Sequence, residues 1–258
     1  MGRNSSAGRV REFYGALSRA WGPQNWWPAN TAFEVIVGAF LTQNTAWTNV
    51  ERAMTNLRGA GVLSMNGIRG VSVVELEDLI RPAGYFRQKA KRLKAFVTFL
   101  DSRYAGSLER MFEESTPRLR NELLELNGIG PETADSILLY AGNHPVFVVD
   151  AYTRRVVERH GIFPVGAHYE DIRELFEAAL ADGAAPGENA CDQATAAQST
   201  GRGSAHEPSR MSAAPRCATA QHYNEMHALI VGVGKNYCLK KAPKCHGCPL
   251  EPFLKNPL

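Results

Sequence analysis

The segment Leu126-Asn127-Gly128-Ile129-Gly130-Pro131-Glu132-Thr133-Ala134 ends a leucine-rich stretch with two glycines two residues apart, and it puts Pro131 where a helix can begin. A turn of this composition aims several backbone N–H groups and a helix N-terminus at one point, an anion site suited to a nucleic-acid phosphate. The same pattern also serves as a packing corner between two helices. Eighteen residues past Glu132, after the apolar run Val146-Phe147-Val148-Val149, stands Asp150, a lone acid between a buried segment and a new helix. Such an acid either caps that helix or meets positive charge in a reaction. A third group is Cys238, Cys245 and Cys248. The cysteine count is five, an odd number, and this spacing reads as a ligand cluster rather than a disulfide framework, in a reducing compartment.

The elements that must position these groups are helical. From Thr31 to Leu57 the apolar residues Phe33, Ile36, Val37, Phe40 and Leu41 fall at three- and four-residue steps behind a candidate N-cap, Thr31. The pattern breaks at Gln43-Asn44-Thr45, which predicts two helices joined by a short turn. Further helices are predicted over 72–80, 88–103, 107–113, 117–126, 132–140, 151–160, 169–180 and from Tyr223 to Val231, with Gly or Pro in most gaps. The strand-like run Pro145 to Val149 has no partner and reads as an extended buried connection. Between Gly183 and Gln221 there is no Leu, Ile, Val or Phe, so a flexible insertion is expected there. The fold class is all-α.

Composition bounds the function. With 258 residues, 44% hydrophobic and 21% charged, the chain can bury one large core or two smaller ones. No apolar stretch approaches a membrane span and the first residues have no apolar signal core, so a cytoplasmic protein without membrane partners is expected, nucleoid-associated where its partner is DNA. A net charge of +3 permits a polyanionic partner without demanding one.

Taken together, Leu126 to Asp135 and the Val-Val-Asp ending at Asp150 resemble the helix-hairpin-helix DNA glycosylase superfamily, of which endonuclease III is a member. The resemblance covers about residues 31–160 and resumes at Tyr223; Phe33-Glu34, Leu41-Thr42-Gln43 and Gly84-Tyr85-Phe86-Arg87-Gln88-Lys89-Ala90 also match. It implies a two-lobed all-α fold with DNA in the cleft. One lobe would span 29–142, and the other 1–28 plus 143–258 with the insertion at about 183–221. A monomer would act on double-stranded DNA carrying a damaged base. Asp150 would be the catalytic acid, Leu126, Asn127, Gly128, Ile129, Gly130 and Thr133 the DNA-binding hairpin, and Gln43 the side chain that fills the duplex. The chemistry agrees with these roles. An extruded nucleotide leaves a gap that an uncharged amide suits, and breaking the glycosidic bond builds positive charge that a fixed carboxylate stabilises. Gln43 as a plain turn residue is the alternative.

The sequence departs from the pattern in three places. Members that also cleave the strand carry a lysine where this chain has Glu132, and a carboxylate forms no imine, so AP-lyase activity is not expected unless another lysine, Lys89 first, substitutes. Glu132 is either an auxiliary acid or an ordinary first-turn acid. Trp26, Trp27 and Pro28, with Trp47, resemble the 3-methyladenine DNA glycosylase branch, in which indoles would stack on cationic alkylated purines; core packing of the rings is the other reading. A base pocket for oxidised or mismatched bases, or a DNA-damage binder without catalysis, are the competing functions. The [4Fe-4S] motif of endonuclease III-like proteins has four cysteines, and here Leu254 stands at the fourth position. Cys217, Cys191 or His246 are candidates to complete an Fe–S or zinc site, a loop without metal is equally natural, and the glycosidic chemistry requires no cofactor.

Overall fold

The computed structural model describes residues 3–181, 194–195 and 208–254. They divide into two compact units, Met1–Pro28 with Pro145–Leu258, and Ala29–His144. The first unit begins with α1 (Arg3–Trp21), a helix the sequence reading missed although Val10, Phe13 and Leu17 recur at helical spacing and are fully buried. Two glycines and three serines dilute that pattern.

The unit 29–144 is built around α2 (Ala32–Thr42). Thr31 caps it by accepting from the Glu34 amide, and every residue from Phe33 to Leu41 except Glu34 is buried, the signature of a central helix. The predicted turn at 43–45 leads into α3 (Trp47–Gly59). Then come α4 (Met65–Gly70), another helix not expected from the sequence, and α5 (Val73–Leu79), capped by Ser64 and Ser72 respectively. The long α6 (Phe86–Tyr104) buries Leu93, Phe96, Val97 and Leu100 against α2, α4 and α5. After α7 (Leu108–Phe112), α8 (Thr116–Leu124) and α9 (Pro131–Ser136) form the two arms of the hairpin; α9 continues as a π-helical turn over Ile137–Ala141 that packs on α2. The arms are clamped by Arg120, whose Nε and NH2 donate to Oδ1 and Oδ2 of the fully buried Asp135 at 2.6 and 3.1 Å.

In the other unit, residues 145–150 run extended with Val146 to Val149 at most 2% exposed, as expected. Side chains replace a strand partner: the Phe147 amide donates to Glu177 Oε1 and the Val149 amide to the Tyr169 hydroxyl. Both acceptors belong to α11 (Tyr169–Leu180), which follows α10 (Ala151–Arg159). A two-residue antiparallel pair joins β1 (Ala194–Thr195) to β2 (Arg216–Cys217), and α12 (Ala218–Asn236) packs on α1, α10 and α11.

The expected flexible insertion needs correcting at its C-terminal end. Residues 208–221 hold a turn, β2 and the first residues of α12, fixed by polar bonds instead of apolar area. The Ser209 hydroxyl donates to the Trp27 carbonyl, Arg216 to the Met211 carbonyl, and the Cys217 sulfur accepts from the Ala220 amide. The rest of the insertion, apart from β1, lies outside the described residues. Among the described residues no helix is long and apolar enough to cross a membrane.

Candidate functional site

The hairpin turn needs its first glycine. Gly128 has φ +84°, and a Cβ there would stand 2.0 Å from Arg92 Nε; Gly130 has φ −98° and open space around it, so it serves as an uncluttered start to α9. Leu126 is half-buried, Asn127 and Gly130 are exposed, and Ile129 is packed inside at 6% exposure. Thr133, expected to face DNA, is buried, and its hydroxyl accepts from Gln43 Nε2 at 2.9 Å, so it braces the turn. The same Nε2 donates to the Gly128 carbonyl at 3.0 Å, and Arg92 donates to Gln43 Oε1. The half-buried Gln43 amide is thus docked on the hairpin. Glu132 is exposed in the first turn of α9.

Lys89 is not an accessible amine. It is 1% exposed, and Nζ donates to the Leu41 carbonyl, the Thr45 hydroxyl and the Ala83 carbonyl at 2.8, 2.7 and 2.8 Å, which uses all three protons. Burial, helped by the neighbouring Arg92 charge, lowers its pKa to about 8. The side chain pins the turn that carries Gln43; the sequence showed a lysine and not the three acceptors that consume it.

In the other unit Asp150 caps α10. Its Oδ1 accepts from the Thr153 amide at 2.7 Å and hydroxyl at 3.0 Å, while Oδ2 faces Nε2 of His227, on α12, at 3.6 Å. Burial pushes the carboxyl up, but the His227 imidazole and the Thr153 donors outweigh it and hold the group below its ordinary value. The capping role and a poised carboxylate therefore coexist, one oxygen for each. His227 was not found in the sequence: a histidine in an amphipathic helix gives no sign of what it faces.

The four-residue base-pocket set is split. Trp27 is 7% exposed and belongs to the core of its unit, against the expectation of a pocket wall; Trp26 and Pro28 are half-buried there. Lys235 Nζ lies 5.7 Å from the Trp26 ring centroid, so this indole already faces a cation. Trp47, in the unit 29–144, is half-buried and donates from Nε1 to Glu51.

Cys238, Cys245 and Cys248 are free thiols lining one cavity of about 20 Å³ together with Leu254. Burial, with the two other thiols nearby, raises the Cys248 thiol. The candidates for a fourth ligand do not serve: His246 is fully exposed beside Glu251, Cys217 is disulfide-bonded, and Cys191 lies outside the described residues. Space for about one water and a leucine in the fourth place do not fit a four-iron cluster, and among the described residues no group of three ligating side chains is arranged to hold a metal. Arginines hold the loop instead. Arg155 donates to the Cys238 and Gly234 carbonyls, Arg159 to Cys238 Sγ and the Leu239 and Lys240 carbonyls, and Arg9 to the His160 and Phe253 carbonyls.

Comparison with known proteins agrees with this construction. Residues 37–181 match the model of the HhH-GPD superfamily base excision DNA repair proteins. MJ1434 of Methanocaldococcus jannaschii, whose name assigns it to the DNA repair glycosylases, is 42% identical over 246 residues, 95% of this chain and 94% of that one. Among solved structures, the H. pylori 3-methyladenine DNA glycosylase MagIII bound to 1,N6-ethenoadenine aligns with a TM-score of 0.65 and 26% identity over 89% of this chain and 97% of its own. A trapped endonuclease III–DNA covalent intermediate shares the fold, with a TM-score of 0.67 at 19% identity over 96% and 95% of the two chains. With its hairpin, its capping aspartate and a match across nearly its whole length, the chain belongs to the HhH-GPD superfamily of base excision repair proteins and is a DNA glycosylase of that superfamily.

Proposed function

We propose that the chain is a monofunctional glycosylase that hydrolyses the N-glycosidic bond of alkylated purines, 3-methyladenine foremost, acting as a monomer on double-stranded DNA. The observation that carries this reading is a fixed carboxylate at Asp150 in a chain with Glu132 in the lysine position and Lys89 locked inside the protein. A purine alkylated at N3 or N7 is already cationic. As its glycosidic bond breaks it takes the bonding electron pair and leaves neutral, so it needs little acid assistance. Positive charge passes to the sugar, where the Asp150 carboxylate stabilises it; the oxygen of a water bonds to C1′, and one of its protons goes to that carboxylate. The hairpin amides would bind phosphate and Gln43 would enter the duplex after leaving the Gly128 carbonyl.

The likeness to a 3-methyladenine glycosylase supports the substrate class. A second reading, release of oxidised or mismatched bases, is favoured by the burial of Trp27, which removes one indole from the proposed stacking surface. Incubating the protein with alkylated duplex DNA, and separately with duplexes bearing oxidised or mismatched bases, and identifying the released bases by mass decides between them. Release of neutral lesions alone would overturn the alkylated-purine assignment, and no release from any duplex would leave a DNA-binding protein.

A further inference from the structure

The Asp150 carboxylate is gripped unequally. Oδ1 takes two hydrogen bonds from Thr153 within its own helix turn, whereas Oδ2 meets one ring from a different helix, Nε2 of His227 at 3.6 Å. His227 is 4% exposed, and its ring stands edge-on to Phe147 with centroids 6.3 Å apart. Phe147 is itself immobilised by stacking on Phe176 at 4.4 Å and by an edge contact with Tyr223. An aromatic wall thus fixes the imidazole, and the imidazole faces the carboxylate oxygen that Thr153 does not hold.

Several other charged groups on the packed elements are engaged elsewhere. Glu177 accepts from the Phe147 amide and from Arg173, Tyr223 donates to the Glu177 carbonyl, and Glu225 accepts from the Gln24 amide. Arg154 donates to the Ala167 carbonyl and Arg155 to the carbonyls of Cys238 and Gly234.

Building on the glycosylase reading above, we propose that His227 is a positioning residue for Asp150, holding the Oδ2 edge that Thr153 does not hold in the orientation from which it meets the sugar cation. The electrostatics point the same way, since burial alone would favour the neutral acid and the imidazole opposes it. Losing the imidazole should therefore let Asp150 take up its proton at higher pH and remove the ionised form from the acid side of the reaction.

The test uses the full chain with His227→Gln, which keeps an N–H near Nε2, and His227→Asn, which is too short to reach. Two quantities are followed: single-turnover base release from alkylated duplex DNA across pH, and the Asp150 carboxyl 13C titration in DNA-free protein. The acid limb of the rate profile should move up by about one pH unit, so that His227→Gln loses up to about tenfold at pH values below the parental midpoint and less than about threefold near pH 8. Affinity for duplex should stay unchanged, His227→Asn should lose more at every pH, and the Asp150 titration should move up in both variants. A loss equal at all pH values that follows a falling melting temperature, with the Asp150 titration unmoved, would mean that the ring is packing material and would overturn the proposal. If the unmodified chain releases no base, the glycosylase reading is what fails, and the Asp150 titration alone then decides: a midpoint unchanged in both variants refutes the role of His227, and a raised one sustains it.

Discussion

Gln43 Nε2 donates to the Gly128 carbonyl at 3.0 Å, so the side chain proposed to enter DNA rests, without DNA, on the turn proposed to bind phosphate. Arg92 completes the arrangement, donating to Gln43 Oε1 while its own Nε passes beneath the Gly128 Cα, where no Cβ fits.

The two hairpin glycines should therefore respond differently. Gly128→Ala faces both a left-handed φ and the Arg92 side chain, and should cost about 1 to 3 kcal/mol of stability. It should weaken damaged and undamaged duplex alike, because the turn reads phosphate. Gly130→Ala meets open space at an ordinary φ and should melt within about 0.5 kcal/mol of the parent. Thermal melts and fluorescence anisotropy on both duplexes check this, and equal destabilisation by the two substitutions would contradict the turn geometry.

The Arg120–Asp135 pair holds the arms of the same hairpin together from inside. Asp135 is fully buried, so Arg120→Ala removes a bidentate guanidinium from a buried carboxylate and should destabilise the fold by about 3 to 5 kcal/mol. A double replacement by apolar residues of similar volume should recover much of that loss in denaturant melts.

Much of this was legible in the chain and some was not, for definite reasons. The α2–turn–α3 unit followed from the spacing of Phe33, Ile36, Val37, Phe40 and Leu41, and the hairpin from its glycines and proline, because those signals are local. The Arg120–Asp135 clamp, the three acceptors around Lys89 and the His227–Asp150 approach are not local, and each joins residues that periodicity treats as ordinary surface or helix positions. Helix α1 was missed because polar residues and glycines surround its apolar triad. The segment after Pro208 departs from the expected flexible insertion because hydrogen bonds from Ser209 and Arg216, to which apolar content is blind, fix it.

Lys89 offers a direct contrast between two roles for an amine. Borohydride should trap no covalent protein–DNA adduct during turnover. Lys89→Met should instead lower the melting temperature, since it strips a donor from three partners, each worth about 1 to 3 kcal/mol if left buried and unsatisfied. Efficient trapping that disappears in Lys89→Met at unchanged stability would reverse this assignment.

Asp150→Asn should abolish base release while duplex affinity stays equal or rises, because the substitution removes both the charge that stabilises the sugar cation and a repulsion with phosphate. The amide oxygen can still cap α10 by accepting from the Thr153 amide, so the melting temperature should fall little. Turnover at the parental rate would remove Asp150 from the mechanism.

Leu254 stands where a fourth thiolate would complete the cysteine loop, which gives the metal question a simple experiment. Anaerobically prepared protein should hold well under one four-iron cluster per chain, and Leu254→Cys should raise bound iron several-fold, read by iron analysis and visible absorbance. Stoichiometric iron in the unmodified chain would mean that three thiols suffice and that the loop opens well beyond its present cavity.

The tryptophans separate a stacking surface from a scaffold, and the structure already divides them. Trp27, inside its unit, should cost about 3 to 5 kcal/mol on truncation to Ala and reduce release of every base in step with stability. Trp26 is different: Lys235 lies over its ring, and a cation that can sit there can in principle be exchanged for a cationic purine. Replacing Trp26 or Trp47 with Leu keeps bulk but removes the π face, so the ring that contacts the base should lose about 1 to 2 kcal/mol more on 3-methyladenine than on a neutral lesion. Lys235→Met sharpens the test, because it removes the resident cation and should leave the ring more available to a charged base, improving selectivity for the alkylated purine. Single-turnover rates on both substrates, with melting curves for each variant, are the measurement. Equal losses on charged and neutral bases for both Trp26→Leu and Trp47→Leu would show that none of these rings reads charge and would move the substrate assignment to the second reading.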